Sequence, residues 1–372
     1  MVKRARQKTG YMPTLDGWRA IAVLGVVACH LTYNVAMPHP LTFFLGACGQ
    51  KGVDLFFGIS GLLITSRLLE EYRERHGVSL KQFYIRRAWR ILPPSLTYLA
   101  VVAFLGVAGV IVVSPSGMLA ALFFAKNYFG GTWYEGHFWS LAVEEHFYII
   151  WPGVLVLLGR KRASWVAGGM ILAVTIWRAI LWLPLGKVGG IPWFFYRTET
   201  RLDALLCGAM VAILLDQYMD RIRALFKPAI AVPTLGIIFL LLIGVRGPLN
   251  SLARLGQAVI IPLVLVSTVL HPHSLVSTLL EARWLRWIGR LSYSLYLWQE
   301  LFLGHGLRMW PLKLAACFVA ASASYYLVER PTLRLGHRLA PPTTDGREDI
   351  RQRAGQRKSA CQAPLAVTET TV

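Results

Sequence analysis

Charged residues are scarce in this sequence, and acidic residues are the scarcest of them. Only 16% of the 372 residues are charged, with 19 Asp or Glu against 39 Lys or Arg, whereas 55% are hydrophobic. A soluble protein of this length carries more charge on its surface, so the composition excludes the ordinary soluble class. Apolar runs recur along nearly the whole length, which predicts a polytopic membrane protein.

Cysteine is also sparse, and its spacing indicates no special chemistry. The five cysteines show neither the paired spacing of a disulfide framework nor the ligand spacing of a metal site; they are Cys29, Cys48, Cys207, Cys317 and Cys361. Most of them lie in apolar runs, where a buried and inert thiol is the usual state. We therefore expect no metal site.

The apolar runs are too long and continuous for barrel strands, so they are predicted to be helices. A net charge of +20 is compatible with a nucleic-acid partner, but most of the Lys and Arg fall in alternate loops. That positive-inside asymmetry places both termini in the cytoplasm and argues against nucleic acid. The predicted fold is an all-α polytopic transmembrane helical bundle of about ten spans, at 15–36, 53–69, 92–113, 138–158, 163–184, 202–216, 229–245, 255–271, 287–304 and 312–329.

One membrane domain is expected over residues 1–339, without an internal repeat. From Ala340 the composition changes to Pro, Thr, Arg, Gln and Asp, so residues 340–372 are predicted to be a disordered basic cytoplasmic tail. Residues 70–91 are predicted to be a basic amphipathic segment on the cytoplasmic side. The pair Pro93–Pro94 that follows is predicted to start the third span.

The first span, LDGWRAIAVLGVVACHL, contains an arginine and a histidine. Arg19 and His30 are eleven residues apart, which returns them to within about 20° of the same helical face and separates them by ~16.5 Å along the axis. Ionisable groups in a span usually face the protein interior and have a function. A histidine can take a proton from a hydroxyl. The structural alternatives are an interior histidine bonded to a neighbouring helix and an interfacial arginine paired with Asp16.

A second group is the arginine cluster of YIRRAWRIL, with Arg86, Arg87 and Arg90. Arg87 and Arg90 are three residues apart and share a helical face at the predicted cytoplasmic mouth. Forked guanidinium groups are suited to binding phosphates in a bidentate manner. The alternative is an ordinary positive-inside cluster that contacts anionic lipid.

A third group lies in GHFWSLAVEEHFYIIWP. His137, Ser140 and Glu144 fall on one face of the predicted fourth span, and Glu144 lies about 9 Å from the outer surface, at a depth comparable to that of His30. The two side chains are therefore expected to meet, with the carboxylate orienting or charging the imidazole. A buried pair between Glu144 and Arg178 or Arg201 is the structural alternative.

Seven marks occur in order along the chain: the arginine and histidine of the first span, then GVDLFFGISGLLIT, FYIRRAWRILPP, HFWSLAVEEHFYIIWP, RLDALLCGA, RLSYSLYLWQ and ERP. Together they resemble the acyltransferase 3 family of bacterial integral-membrane acyltransferases. The resemblance extends from Leu15 to Pro331. Each mark alone is weak, but all seven in order are a strong signal.

The resemblance implies O-acyl transfer from a cytoplasmic acyl-coenzyme A, with acetyl-CoA as the expected donor, to a hydroxyl near the outer face. It implies a multi-pass protein of the bacterial plasma membrane, surrounded by the lipid bilayer and without a permanently bound cofactor. His30 corresponds to the catalytic base, Arg19 to its partner in the motif and Glu144 to the family's fourth-span glutamate. Arg87 and Arg90 correspond to the arginine motif linked to donor handling.

Five further residues are candidates for binding the acceptor substrate: Asp54, His137, Arg201, Asp203 and Tyr296. The chain departs from the family at Gln299, where many members have a histidine. Because glutamine does not titrate, the resemblance implies no proton relay through that position. The acceptor stays open between an extracellular glycan, a lipid-linked sugar and a secreted natural product.

Three alternatives remain open at this point. A covalent acyl-enzyme on His30 or Cys29 is one alternative course of the reaction. A transporter or flippase, whose intramembrane charges line a path, is the rival class. The oligomeric state is undetermined, and a homodimer is one arrangement.

Overall fold

The computed structural model describes residues 12–32, 38–185, 193–243, 245, 249–304 and 309–341. Within these ranges the chain is all-helical and contains no β-strand. The helices are α1 Pro13–Thr32, α2 His39–Arg75, α3 Leu80–Val107, α4 Pro115–Leu122, α5 Phe138–Leu185, α6 Thr198–Leu225, α7 Pro228–Ile243, α8 Asn250–Leu270, α9 Leu275–Leu280, α10 Arg283–Leu303, α11 Trp310–Ser324 and α12 Arg330–Leu339. Short 3₁₀ turns occur at Trp133–Glu135 and Trp193–Tyr196, and a π-helical turn at Tyr325–Glu329.

The all-α class predicted from the sequence is confirmed for the described residues. Seven helical segments are long and apolar enough to cross a membrane, by length and composition: 13–32, 39–75, 80–107, 133–182, 198–225, 250–270 and 310–339. Helix α7 is apolar but shorter, and α10 carries three arginines and Glu300. The predicted disordered tail lies almost wholly outside the described residues, and the domain boundary at residue 339 stays a prediction.

Helix α5 is interrupted once. Gly159 has φ 70° and ψ 167°, which is not helical, and positive φ is a conformation that glycine adopts without steric cost. The break falls between two spans predicted separately, 138–158 and 163–184. The segment counted above as one long crossing therefore consists of two helices joined at Gly159.

The start of α3 differs from the prediction. The sequence placed the beginning of the third span at Pro93–Pro94, but α3 begins at Leu80 and continues through both prolines. A proline removes one helical hydrogen bond, and neighbouring helices compensate for such breaks inside a bundle. Here α12 and α10 pack along α3. The arginine cluster therefore belongs to the helix itself.

Helix α1 lies between α2 and α10 at the centre of the bundle. It runs parallel to α10, because Asp16 lies against Gly289 near one end and His30 contacts Gln299 near the other. A Cβ at Gly289 would stand 1.9 Å from the Asp16 carbonyl oxygen. Only glycine permits this close approach of the two backbones. The packing fixes which α10 side chains face His30.

Helix α6 and the part of α5 before Gly159 both run parallel to α2. Trp151 of α5 donates to Thr65 of α2 at 2.8 Å, and Arg73 of α2 pairs with Asp216 near the end of α6 at 3.1 Å. A Cβ at Gly61 would stand 1.9 Å from the Leu205 carbonyl oxygen, so α2 and α6 also touch backbone to backbone. Helix α2 thereby contacts a charged side chain of each helix, Glu144 of α5 and Arg201 of α6.

Candidate active site

His30 lies near the end of α1 and is held by two consecutive residues of α10. Its Nδ1 hydrogen-bonds the side-chain oxygen of Gln299, and its Nε2 lies 3.9 Å from Oε1 of Glu300. Since an amide oxygen only accepts, Nδ1 carries the proton in this arrangement and Nε2 is the basic nitrogen. The indole of Trp133 packs edge-on, with ring centroids 5.3 Å apart.

Glu300 is itself fixed from the opposite side by His137. The imidazole Nδ1 of His137 lies 2.7 Å from Oε2 of Glu300, and the backbone N–H of His137 donates to the same oxygen at 3.1 Å. The indole N–H of Trp133 donates to the Glu300 carbonyl at 2.9 Å. We call His30, His137, Gln299 and Glu300 the histidine site. A buried carboxylate shared by two imidazoles can stabilise positive charge on either ring.

The expected pairing of His30 with Glu144 is wrong. Glu144 accepts hydrogen bonds from Ser60 at 3.1 Å and from Tyr148 at 2.8 Å, and no hydrogen bond or ion pair between Glu144 and His30 exists in the described chain. The reason is packing, because α1 presents His30 to α10 while Glu144 faces α2. The carboxylate at His30 is Glu300, the residue after Gln299.

The sequence did contain a feature that marks Glu300 as a candidate functional residue. An ionisable residue in an apolar helix is a functional candidate by default, and Glu300 follows Tyr296 by four residues, on the same helical face. Sequence reasoning singled out Tyr296 and Gln299 in this stretch and passed over Glu300. The contact between Glu300 and His30 depends on α1 and α10 being neighbours. The spacing of residues along one helix does not predict which helices pack together.

A cavity lies beside the histidine site, on the side toward the other end of α1. It spans about 700 Å³, including space that is open to the surroundings, and none of the four residues of the histidine site lines it. We call it the arginine cavity, and its polar lining includes Arg19, Arg87, Arg90, Ser140, Glu144, Glu145 and Tyr296. The cavity thus brings Arg19 of α1 together with Arg87 and Arg90. The sequence predicted the common face of Arg87 and Arg90 but not the presence of Arg19 beside them.

Two residues connect the arginine cavity with the histidine site. Ser140 and Tyr296 line the cavity, and their hydroxyl oxygens lie 2.5 Å apart. The Tyr296 hydroxyl also donates to the His137 carbonyl at 3.3 Å. The cavity therefore ends one residue away from the Glu300 carboxylate. His137 and Tyr296, predicted to bind the acceptor, form this junction.

The arginines of the cavity differ in the contacts that hold their guanidinium groups. The Arg87 guanidinium lies 3.6 Å above the ring centroid of Tyr148, and its buried Nε has no hydrogen-bond partner. Arg19 is 3.8 Å from Asp16. Arg87 therefore keeps a donor available for a ligand.

Arg86 does not join this group. It pairs with Glu71 of α2 at 3.5 Å and donates to the Ala340 carbonyl, because it lies 100° around α3 from Arg87. The prediction that Arg86 binds the donor is not supported by its position, and Arg86 instead joins α3 to α2 and to the end of α12.

The three remaining predicted residues lie in a separate cluster. Asp54 pairs with Arg201 at 3.3 Å, and Asp203 pairs with Arg178 at 2.7 Å. Neither arginine pairs with Glu144, so that structural alternative is excluded. Asp54, Arg201 and Asp203 were predicted together as acceptor-binding residues, and the structure brings all three to one small cavity with Arg178.

Cys29, the alternative nucleophile, faces away from the histidine site. It is buried, and its Sγ would lie 2.6 Å from a Cβ placed on Gly49 of α2. The thiol therefore packs against α2, whereas His30 points toward α10. This geometry does not support an acyl-cysteine at that position.

The chain was compared with known proteins. The family found is consistent with a histidine–carboxylate site beside a cavity lined by arginines. The sequence model of a family described as "Acyltransferase domain" matches residues 12–328. The chain belongs to this family. This membership confirms the family recognised from the sequence and the acyltransferase class of enzyme.

Relatives with descriptive names are found among bacterial proteins. The chain is 29% identical to the peptidoglycan O-acetyltransferase OatA of Listeria monocytogenes, over 90% of this chain and 58% of that protein. It is 30% identical to a putative peptidoglycan O-acetyltransferase, YrhL, of Bacillus subtilis, over 88% of this chain and 56% of that protein. A putative O-acetyltransferase of Staphylococcus aureus is 33% identical, over 78% of this chain and 50% of that protein. The chain thus spans little more than half the length of these relatives. No solved structure matches it.

Proposed function

We propose that this protein transfers an acyl group, most simply acetyl, from acyl-coenzyme A to a hydroxyl group of an acceptor on the opposite side of the membrane. The observation that carries the proposal is that two sites are adjacent and joined by hydrogen bonds. A cavity with three arginines begins near one end of α1 and ends at Tyr296, whose hydroxyl is bonded to His137. His137 in turn holds the carboxylate that faces His30.

The arginine cavity is suited to the donor. Coenzyme A carries phosphates at one end and the thioester at the end of a long flexible arm. Arg19, Arg87 and Arg90 offer guanidinium groups for the phosphates. The arm is then directed along the cavity toward Ser140 and Tyr296.

His30 supplies the proton chemistry. Its Nε2 removes the proton of the acceptor hydroxyl while the hydroxyl oxygen attacks the thioester carbonyl carbon. The carbon–sulfur bond breaks, coenzyme A leaves as thiolate, and the proton held by His30 passes to that sulfur. Glu300 stabilises through its charge the imidazolium that exists between these two steps. Gln299, on the opposite side of the ring, keeps the proton on Nδ1.

The acceptor class is proposed from the relatives. Two of them are named for peptidoglycan O-acetylation, so a cell-wall glycan is the acceptor to test first. We place the protein in the bacterial plasma membrane as a multi-pass protein. The glycan hydroxyl then approaches from outside and acyl-coenzyme A from the cytoplasm.

The proposed topology has ten spans with both termini in the cytoplasm. It divides α5 at Gly159 and adds α7 and α10 to the segments that cross. Reporter fusions should place residue 125 outside and residue 350 inside, because most basic residues then fall on the inner side. Two fusions on the same side would contradict the span count. They would also contradict the sides of the membrane assigned here to the donor and the acceptor.

The function itself is tested by release of coenzyme A. The purified protein in proteoliposomes is supplied with acetyl-CoA outside and glycan fragments inside, and in the reverse arrangement. We expect free thiol to appear together with base-labile acetate on the glycan. Movement of either substrate without thioester cleavage would indicate a transporter instead.

Arg87→Ala and Arg90→Ala should each raise the KM for acetyl-CoA by about tenfold to a hundredfold, since a lost charge-assisted phosphate contact costs roughly 1.5–3 kcal/mol. Added salt should have a similar effect on the parent enzyme. Lys81→Ala is the matched control, because Lys81 is an exposed cation in the first turn of the same helix. An unchanged KM in both arginine variants would mean that the cluster contacts lipid.

A further inference from the structure

Four cationic side chains from four helices surround two carboxylates at the start of α6. Lys51 of α2 lies 3.3 Å from Asp54 and hydrogen-bonds Gln257. Arg201 pairs with Asp54, Arg178 pairs with Asp203, and Arg254 of α8 lies beside them. We call Lys51, Arg178, Arg201 and Arg254 the cation cluster.

The charges of this cluster do not balance. Among the described residues, only Asp54 and Asp203 oppose the four cations. Two positive charges therefore remain without an opposing carboxylate. Burying a cation without a counter-charge costs free energy, which an anion bound in the site would recover.

The cluster also has unused donors beside a small open pocket. Arg178 and Arg201 are only 2% and 4% exposed, and the Nε of each has no hydrogen-bond partner. With Asp54, Asp203 and Arg254 they line a pocket that has room for about one water-sized atom, such as one oxygen of an acidic group. A carboxylate or a phosphate group is the chemical match for several guanidinium donors that converge on one small space.

The cluster lies next to the proposed reaction path. The Arg201 guanidinium is 5.1 Å from the ring centroid of Trp139, and Trp139 packs edge-on against Phe57, which lines the arginine cavity. An anchored acidic group is therefore separated from the cavity by one aromatic layer.

We infer that the cation cluster binds an acidic group, a carboxylate or phosphate, of the acyl acceptor and thereby orients the hydroxyl to be acylated. The inference rests on the proposed function for the identity of the ligand as acceptor. It assigns to Lys51, Arg178 and Arg254 a role in recognition of the acceptor that no motif indicated.

The test is a binding titration that requires no donor. Thermal unfolding of the detergent-solubilised full chain is followed with N-acetylmuramic acid, which carries a carboxylate, and with N-acetylglucosamine, which lacks it. Glucuronic acid and inorganic phosphate are added as further anions at equal ionic strength. We expect the acidic sugars to raise the Tm and the neutral sugar to leave it unchanged. Arg254→Gln should weaken binding by about tenfold or more.

Arg160→Gln is the matched control, since Arg160 pairs with Asp216 at an exposed position away from the cluster. It should bind the acidic sugars like the parent.

The same titration is repeated with added phosphatidylglycerol, to test whether the bound anion is a lipid headgroup. The inference is overturned if no anion binds in an Arg254-dependent way, or if only phosphatidylglycerol or inorganic phosphate does. Coenzyme A release is measured separately, so loss of transfer with intact anion binding would count against the proposed function alone.

Discussion

His30→Ala is expected to reduce acyl transfer per folded molecule by about 10²–10⁴, the usual cost of removing a general base. The geometry makes this the largest single effect. The Gln299 side-chain oxygen accepts a hydrogen bond from Nδ1–H of His30. Nε2 faces the Glu300 carboxylate, which stabilises the charge that the ring acquires. Alanine removes the proton acceptor and leaves the arginine cavity in place. The KM for acetyl-CoA should therefore change little.

The competing explanation is that His30 only joins α1 to α10. In that case His30→Ala would lower the Tm or the yield, and the folded fraction would turn over at nearly the normal rate. His146→Ala serves as the control, because His146 is another histidine inside a helix and bonds Thr198 at 2.7 Å. Turnover of the His30 variant within about threefold of the parent, far less than the loss of a general base costs, would remove His30 from the mechanism.

Helical periodicity predicted well what lies along one helix. The eleven-residue separation of Arg19 and His30 placed them at opposite ends of one span, and the structure puts Arg19 at the arginine cavity and His30 at the histidine site. The three-residue spacing of Arg87 and Arg90 likewise placed both on the cavity. These features follow from the fixed geometry of the α-helix.

Periodicity fails where the question is which helices are neighbours. Glu144 and His30 share a depth, yet α1 packs on α10 through the close approach of Gly289 and Asp16. That contact brings Glu300 to His30 and leaves Glu144 with Ser60 and Tyr148. A close approach of two backbones needs a glycine in only one of the helices, as at Gly289, and the 33 glycines of this chain offer many such places. Sequence alone does not select among them.

Glu300→Gln is expected to lower kcat by about 10²–10³, the range found when one preorganised electrostatic group is removed from a catalytic site. The amide keeps the shape of the side chain, and its oxygen can still accept from His137. Its NH₂ group would then face Nε2 of His30 and donate to the lone pair that must take the acceptor's proton. The variant should therefore fold and bind acetyl-CoA normally while losing turnover.

Glu144→Gln is the matched comparison, since it makes the same change in a buried glutamate that lines the arginine cavity. We expect a smaller loss of kcat there, with the larger part of the effect on the KM for acetyl-CoA. Combining Glu300→Gln with His30→Ala should cost little more than His30→Ala alone, because residues that act as one unit fail together. Turnover and KM are measured for all five proteins: the parent, the three single variants and the double variant. A larger loss of kcat in Glu144→Gln than in Glu300→Gln would reverse the assignment and make Glu144 the carboxylate of the reaction.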